Sequence, residues 1–209
     1  DVMGLVGESG CGKSTLGKLF LCEFPYSGDI RYGGKELSRM NRVKRTGIVG
    51  YLGHDPELFN DTVRSNILMG NEQLDPWESL RYVCLGSEVK AMEDGIETLV
   101  GSGGVRLSGG QGQRLSLART LSHKRPILVL DDPFSALDRN TEAQIFENLK
   151  KLASDSIVLL ISHRLYLFPE LDRVIWLENG EAKVGTHEEL VGNTPDYAAQ
   201  FDAQRGEQP

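Results

Sequence analysis

Short apolar runs along the chain alternate with longer stretches in which apolar residues recur at helical spacing. Four runs predict strands: Val2–Val6, Ile48–Leu52, Ile127–Leu130 and Ile157–Ile161. The third is continuously apolar, which is typical of a central parallel strand buried on both faces. From about Asp61 to Gly95 the pattern is helical, with Trp77, Leu80 and Cys84 on one face. Strands that alternate with helices predict an α/β fold with a mostly parallel core sheet.

Two dipeptides predict antiparallel hairpins that flank this sheet. Gly33-Gly34 and Asn179-Gly180 each lie between short strand-like segments, and both accommodate the positive φ of a tight turn. Thr186 followed by Glu189 has the spacing of a capping box, which predicts the start of a further helix.

Composition and charge exclude several classes of protein. The 209 residues, 39% hydrophobic and 25% charged, are ordinary for a soluble globular domain or a domain with an inserted subdomain. No stretch approaches the roughly 20 apolar residues of a membrane-spanning helix. The net charge of −7 argues against nucleic acid as a partner, and the basic run 39–45 is typical of a solvated face, with a binding patch as the alternative. Three scattered cysteines fit neither a disulfide framework nor a metal site, which favours a reducing compartment.

The segment Gly7–Thr15, called the phosphate loop below, matches G-x-x-x-x-G-K-[ST] between a predicted strand and a helix predicted from Ser14 to about Cys22. Its residues are the candidate ATP contacts Gly7, Glu8, Ser9, Gly10, Cys11, Gly12, Lys13, Ser14 and Thr15. In this motif backbone N–H groups and a helix N-terminus face the phosphates. We expect Lys13 to contact the β- and γ-phosphates, Ser14 to ligate Mg²⁺ and Thr15 to lie near the α-phosphate. A glycine-rich turn with an incidental Lys-Ser pair is the alternative.

Two further polar positions follow apolar runs. Asp131 ends the run that begins at Ile127, at the sheet edge where open α/β sheets bind ligands, and is a candidate Mg²⁺ ligand opposite Ser14. His163 follows the run 157–161 and should emerge at the same edge, where an imidazole can contact a γ-phosphate and the attacking water. Either residue taken alone is also compatible with an ordinary strand end.

Residues Leu107, Ser108, Gly109, Gly110 and Gln111, called the signature below, resemble the LSGGQ signature of ABC ATPases. A Ser hydroxyl and Gly N–H groups at a helix start form a second anion site. The resemblance covers essentially all of residues 1–209. It implies a P-loop NTPase fold with a helical subdomain at about 60–122, and a signature that contacts the γ-phosphate held by a second ABC domain. Two domains would then enclose two ATPs head to tail, with Asp138 communicating across the dimer and His163 as the switch histidine.

Two stretches resemble ABC exporters in particular, Leu58–Ile67 and Gly185–Leu190. This resemblance implies a transport ATPase at the cytoplasmic face of the cell membrane, with ATP and Mg²⁺ as cofactors. The chain begins at Asp1, too late to include the family's adenine-stacking aromatic residue. We therefore expect a piece of a longer protein with its transmembrane domain upstream. The alternative is a soluble, non-transport ABC ATPase, although such chains usually carry a coiled coil or tandem ATP domains.

Three positions depart from the family pattern. Asp132 replaces the glutamate that acts as general base, His54 replaces the glutamine that contacts Mg²⁺ and water, and Ser102 replaces an exporter-type glutamate. The shorter side chain withdraws its carboxylate by more than ~1 Å, and misplacement of that order can cost about 10²-fold in rate. An imidazole also matches Mg²⁺ less well than an oxygen ligand does.

These departures lead to an assignment of roles. The catalytic candidates are Lys13, Asp132 and His163, and the Mg²⁺ candidates are Ser14, Asp131 and His54, which is also counted with the ATP contacts. We expect tight ATP binding with slow hydrolysis, as in the degenerate half of a heterodimeric exporter. A homodimer that tolerates Asp132 as a weaker base, or a binding half with negligible turnover, remains an alternative.

Overall fold

Eight strands form two sheets in residues 1–55 and 57–206, the part of the chain that the computed structural model describes. The strands are β1 (Val2–Gly7), β2 (Arg31–Tyr32), β3 (Lys35–Glu36), β4 (Val49–Leu52), β5 (Ile127–Asp131), β6 (Ile157–Ile161), β7 (Arg173–Glu178) and β8 (Glu181–Gly185). Six of them form the core sheet in the order β4-β5-β6-β1-β7-β8, and all neighbours are parallel except the pair β7 and β8. The predicted α/β fold with a mostly parallel sheet is confirmed.

Nine α-helices connect and follow these strands within the described residues. They are α1 (Lys13–Leu19), α2 (Arg42–Thr46), α3 (Val63–Leu68), α4 (Pro76–Tyr82), α5 (Gly86–Lys90), α6 (Gly109–Ser122), α7 (Arg139–Leu152), α8 (His187–Asn193) and α9 (Pro195–Gly206). Short 3₁₀ segments lie at 37–39, 95–97, 153–155 and 165–170. None of the helices in this part of the chain is long and apolar enough to cross a membrane.

Both hairpins are confirmed. Strands β2 and β3 pair antiparallel in a small separate sheet around Gly33-Gly34. Strands β7 and β8 pair around Asn179 (φ 48°) and Gly180 (φ 79°), the two positive φ angles that a type I′ turn requires. The capping box is also present, because Thr186 and Glu189 each accept a hydrogen bond from the other's backbone N–H.

Two helical boundaries differ from the sequence prediction. The first helix, expected to extend from Ser14 to about Cys22, ends at Leu19, and Cys22 itself is left-handed at φ 55°. The stretch 61–95, predicted to be helical, holds three short helices. Left-handed residues follow the ends of two of them, Met69 (φ 49°) after α3 and Cys84 (φ 54°) after α4.

Alternate residues of β5, an interior strand next to the edge strand β4, face opposite sides of the sheet. Leu128 and Leu130 pack into the larger core cluster with helices α3 to α7, and Val129 packs into the smaller cluster near α1. Because β1, β4, β5 and β6 run parallel, their carboxyl ends share one sheet edge. The phosphate loop, Asp131 and the segments that carry His54 and His163 all begin at this edge.

Candidate nucleotide-binding site

The phosphate loop curls between β1 and α1 in a conformation that needs glycine. Gly12, the residue before α1, is left-handed at φ 101°. At Gly7 the constraint is space, because a Cβ there would lie 2.2 Å from the carbonyl oxygen of Leu177 on the neighbouring strand β7. Ser14 and Thr15 at the start of α1 are exposed, so their hydroxyls are accessible to a ligand.

Lys13 is the one strongly buried cation of the loop, with 6% of its surface exposed. Its Nζ folds back over the loop and donates to the carbonyl oxygens of Gly7 (2.9 Å) and Glu8 (2.7 Å). No carboxylate of the described residues lies within 4.0 Å of this ammonium. A buried charge without a counter-charge is costly. The loop therefore suits an anionic ligand such as a polyphosphate.

Asp131 occupies the expected position at the carboxyl end of β5 and is almost fully buried. Its Oδ2 lies 3.5 Å from the hydroxyl of Tyr51, a long hydrogen bond from the end of β4. Burial, and then the charge of Asp131, raises the pKa of Tyr51 to about 12, so the hydroxyl remains a neutral donor. The apolar pattern of β4 gave no signal for this contact.

Asp132 has a fixed backbone. It is left-handed at φ 49°, its N–H donates to the carbonyl of Ile161 (2.8 Å), and its carbonyl accepts from Nε2 of Gln113 (3.0 Å). Its carboxylate oxygen Oδ2 lies 3.9 Å from Nδ1 of His54, and the two side chains are 14% and 57% exposed. The structure thus brings two of the three departures from the family pattern together.

His163 follows β6 at the same edge, and its side chain is exposed. The backbone carbonyl of His163 accepts a hydrogen bond from Nε2 of Gln204 in the C-terminal helix α9 (2.7 Å). No short sequence pattern links these two residues, and sequence analysis missed Gln204.

The signature opens α6 through a capping box. Ser108 Oγ accepts from the N–H of Gln111 (3.2 Å), and Gln111 Oε1 accepts from the N–H of Ser108 (2.9 Å). The amide nitrogen of Gln111 donates to Glu88 of α5 (2.9 Å), which Arg114 also contacts at 2.6 Å. Arg114 is the main cause of a lowered pKa at Glu88. These two charged residues, also missed from sequence, fix the orientation of the Gln111 side chain.

The signature borders an open cleft of about 680 Å³. His54, Leu107, Ser108, Gly109, Gln113 and Ser135 line it. Among the described residues that line this cleft, none belongs to the phosphate loop. His54, a candidate Mg²⁺ ligand, therefore borders the same cleft as the signature.

Asp138 caps α7. Its carboxylate accepts from the backbone N–H groups of Asn140 and Thr141 (3.1 Å each) and from the Thr141 hydroxyl (2.7 Å). These bonds, led by the Thr141 hydroxyl, lower the pKa of Asp138. The exposed carboxylate thus has a local structural role in this chain.

A parallel sheet with a glycine loop, a buried lysine and an acidic strand end is typical of a P-loop nucleotide-binding domain. The model of the ABC transporter family matches residues 1–135. The chain belongs to the ABC transporter family, and the proteins that it resembles include ABC exporters.

Two relatives and one solved structure illustrate the similarity. A probable multidrug resistance ABC transporter ATP-binding/permease protein of Bacillus subtilis is 34% identical over 210 residues, which cover 98% of this chain and 36% of that protein. An ATP-dependent lipid A-core flippase of Cupriavidus metallidurans is 38% identical over 206 residues, which cover 95% of this chain and 35% of that protein. The structure of a bacterial Atm1-family ABC exporter with ATP bound matches with a TM-score of 0.91 at 31% identity, over 99% of this chain and 37% of that one. The chain spans about a third of the length of these proteins.

Proposed function

We propose that this chain is the ATP-driven motor domain of a membrane exporter and binds Mg·ATP at the phosphate loop. The buried ammonium of Lys13, which has no carboxylate partner among the described residues, carries this proposal. On binding, Lys13 would exchange its two carbonyl contacts for the β- and γ-phosphates. The loop N–H groups and the exposed Ser14 and Thr15 would complete the cradle.

Mg²⁺ would be held by Ser14 and Asp131, with His54 as a third candidate. The buried carboxylate of Asp131 and a serine hydroxyl are the oxygen ligands that Mg²⁺ prefers. When bound, the cation neutralises the charge that develops on the phosphates. Tyr51 would orient Asp131 through its hydroxyl.

Hydrolysis at this chain's own site would be slow. Asp132 would have to orient the attacking water with a side chain one methylene shorter than glutamate. An advance of the Asp132 backbone to compensate would have to break its hydrogen bonds to Ile161 and Gln113. His163, exposed at the same edge, would contact the γ-phosphate and the water.

Two ABC domains would pair head to tail around two ATPs. Among the described residues that line the signature cleft, none belongs to the phosphate loop, which supports a signature that contacts the nucleotide of another chain. Asp138 would face the partner domain across the interface. The signature is intact, whereas Asp132 replaces the expected glutamate. This combination favours a heterodimer, in which this signature completes a more active partner site.

The domain would comprise residues 1–209, with the helices of the 60–122 region as its helical subdomain. The Bacillus subtilis relative named above is an ATP-binding/permease protein. By analogy, a transmembrane domain would lie upstream in the same protein and hold this domain at the cytoplasmic face of the membrane.

Calorimetric titration of the chain with ATP and Mg²⁺ tests the nucleotide site. The wild-type chain should bind with micromolar affinity, and Lys13→Met should weaken binding at least about 100-fold, because it removes a charge-assisted contact to two phosphates. Lys18→Met on the same helix is the matched control and should bind as wild type. Equal binding by Lys13→Met and wild type would refute the proposed site.

Sedimentation with ATP tests the pairing. The chain with Ser108→Arg should lose any ATP-dependent self-association while it retains ATP binding. A chain that remains monomeric with ATP, and pairs only with a second ABC domain, would support the heterodimer. An ATP-dependent homodimer that persists in Ser108→Arg would contradict the role of the signature.

A further inference from the structure

The backbone on both sides of Arg164 is held by one side chain from the end of the chain. Gln204 of α9 donates through Nε2 to the carbonyl of His163 (2.7 Å) and accepts through Oε1 from the N–H of Leu165 (2.8 Å). Both ends of a single amide are therefore used on the two peptide groups that flank residue 164. A planar amide that makes two short bonds fixes the orientation of both peptide groups.

The side chain of Arg164 is anchored by a different set of residues from those that hold its backbone. It forms an ion pair with the fully buried Glu142 of α7, which also accepts from the Tyr166 hydroxyl. It also donates to the carbonyls of Ser135 (3.2 Å) and Leu137 (3.4 Å), in the loop that follows Asp132. The segment is thus held by its backbone and by its Arg164 side chain, and the exposed imidazole of His163 remains available for a ligand.

Helix α9 is itself anchored by aromatic packing. Tyr197 is fully buried, its hydroxyl lies 2.7 Å from Nδ1 of His187, and its ring meets Trp176 edge to face with centroids 5.6 Å apart. Phe201 packs on His187 with centroids 4.4 Å apart. Gln204 follows Tyr197 by seven residues, or about two helical turns, so it lies on the same docked face. The position of Gln204 is therefore set by how α9 sits on the sheet.

We propose that Gln204 is a positioning residue for His163, so that docking of α9 determines whether His163 reaches the nucleotide. Without the Gln204 amide, the peptide groups 163–164 and 164–165 lose these two contacts, and the backbone that carries His163 is held less firmly. The inference rests on the proposed function, because it assigns His163 to the γ-phosphate. According to this inference, the C-terminal helix α9 influences how His163 contacts the bound nucleotide.

Two substitutions at Gln204 separate its two hydrogen bonds. Gln204→Met keeps the length and helix propensity of the side chain and removes both bonds. Gln204→Glu keeps an acceptor for the N–H of Leu165 and loses the donor to the His163 carbonyl. Asp202→Ala, an exposed position on the same helix, is the matched control.

Nuclear magnetic resonance of the isotope-labelled chain gives a readout that does not depend on turnover. In the wild type, the His163 imidazole signals should shift on addition of Mg·AMP-PNP and much less with Mg·ADP. In Gln204→Met that difference should vanish, and exchange of the Leu165 amide proton should accelerate at least about tenfold, since net bonds of this kind each contribute a factor of several. Gln204→Glu should lose the imidazole response but keep part of the Leu165 protection. Affinity for Mg·AMP-PNP should change less than about threefold in all variants.

The outcomes are distinguishable. Suppose that Gln204→Met still binds nucleotide and shows the same His163 response and the same Leu165 exchange rate as the wild type. That result would overturn the role of Gln204 and leave the proposed function intact. The same would follow if Asp202→Ala lost the response equally, because the effect would then be a general one on the helix. A wild-type chain that binds no Mg·AMP-PNP would overturn the proposed function together with this inference.

Discussion

His54 and Asp132 lie beside each other at the carboxyl edge of the sheet, with the imidazole Nδ1 3.9 Å from the carboxylate Oδ2. One follows β4 and the other follows β5, so the parallel pairing of these strands brings them together. Both stand where the family resemblance implies a different residue. The two changes therefore lie at one location, next to the candidate Mg²⁺ ligand Asp131, which precedes Asp132 in the chain.

Replacement of His54 tests its role toward Mg²⁺. An amide oxygen is a harder ligand than an imidazole nitrogen, so His54→Gln should lower the Mg²⁺ concentration for half-maximal ATP binding by about threefold or more. Titration of Mg²⁺ against a fluorescent ATP analogue measures this concentration. His123→Gln, at the end of α6, serves as control. An unchanged Mg²⁺ requirement in His54→Gln would remove His54 from the candidate ligands.

The start of the signature helix depends on a close approach at Gly110. A Cβ there would lie 2.9 Å from the carbonyl oxygen of Ala136, whereas at Gly112 the nearest atom would be a side-chain carbon of Leu58 at 3.9 Å. Gly110→Ala should therefore destabilise the fold by about 1–3 kcal/mol. Gly112→Ala should be neutral or stabilising by up to about 1 kcal/mol, because it only restricts the unfolded chain. Urea unfolding of both variants checks the pair, and equal free energies of unfolding would contradict the packing at Ala136.

His187 makes the stability of the C-terminal helices depend on pH. Burial lowers the pKa of this imidazole, against a smaller opposing effect from the charge of Glu188. Above the unfolded-state pKa near 6.5 both states are neutral. As the pH falls below this value the unfolded chain takes up the proton first, so stability declines until the folded imidazole also titrates.

The free energy of unfolding should accordingly fall between pH 7 and pH 5.5, with a contribution from His187 of at most about 1.4 kcal/mol per pH unit. His187→Gln, which can still accept from the Tyr197 hydroxyl, should have a shallower slope than the wild type. His163→Gln changes an exposed histidine and should keep the wild-type slope. A steeper or unchanged slope in His187→Gln would show that this imidazole is not the group responsible.

Local sequence signals predicted much of the fold. The strand expected at Ile127–Leu130 is observed as Ile127–Asp131, and both hairpins form at the expected dipeptides, because a buried run and a two-residue turn are specified by neighbouring residues. The ends of the helices were predicted less well. Met69 and Cys84 adopt left-handed backbone angles without being glycine, so nothing in their residue type marks the break.

Long-range contacts could not be predicted from the chain alone. The phosphate loop and the signature are continuous motifs, so their residues could be identified from the sequence. The roles of these residues stay predictions. Tyr51 beside Asp131, Glu88 beside Arg114 and Gln204 beside His163 are pairs that only the packing of distant elements brings together. No periodicity or spacing links the members of these pairs.

Steady-state ATP turnover of Asp132→Glu, measured beside the wild-type chain, tests most directly the proposal of firm ATP binding with slow hydrolysis. Both should bind Mg·ATP with similar affinity, and Asp132→Asn should be inactive. Turnover should be measured over a range of protein concentrations, because the proposed active form is a pair of domains. The added methylene moves the carboxylate forward by about 1 Å, to where the glutamate of the family places it, so turnover should rise at least about tenfold. A wild-type chain whose turnover equals or exceeds that of Asp132→Glu would contradict the proposal.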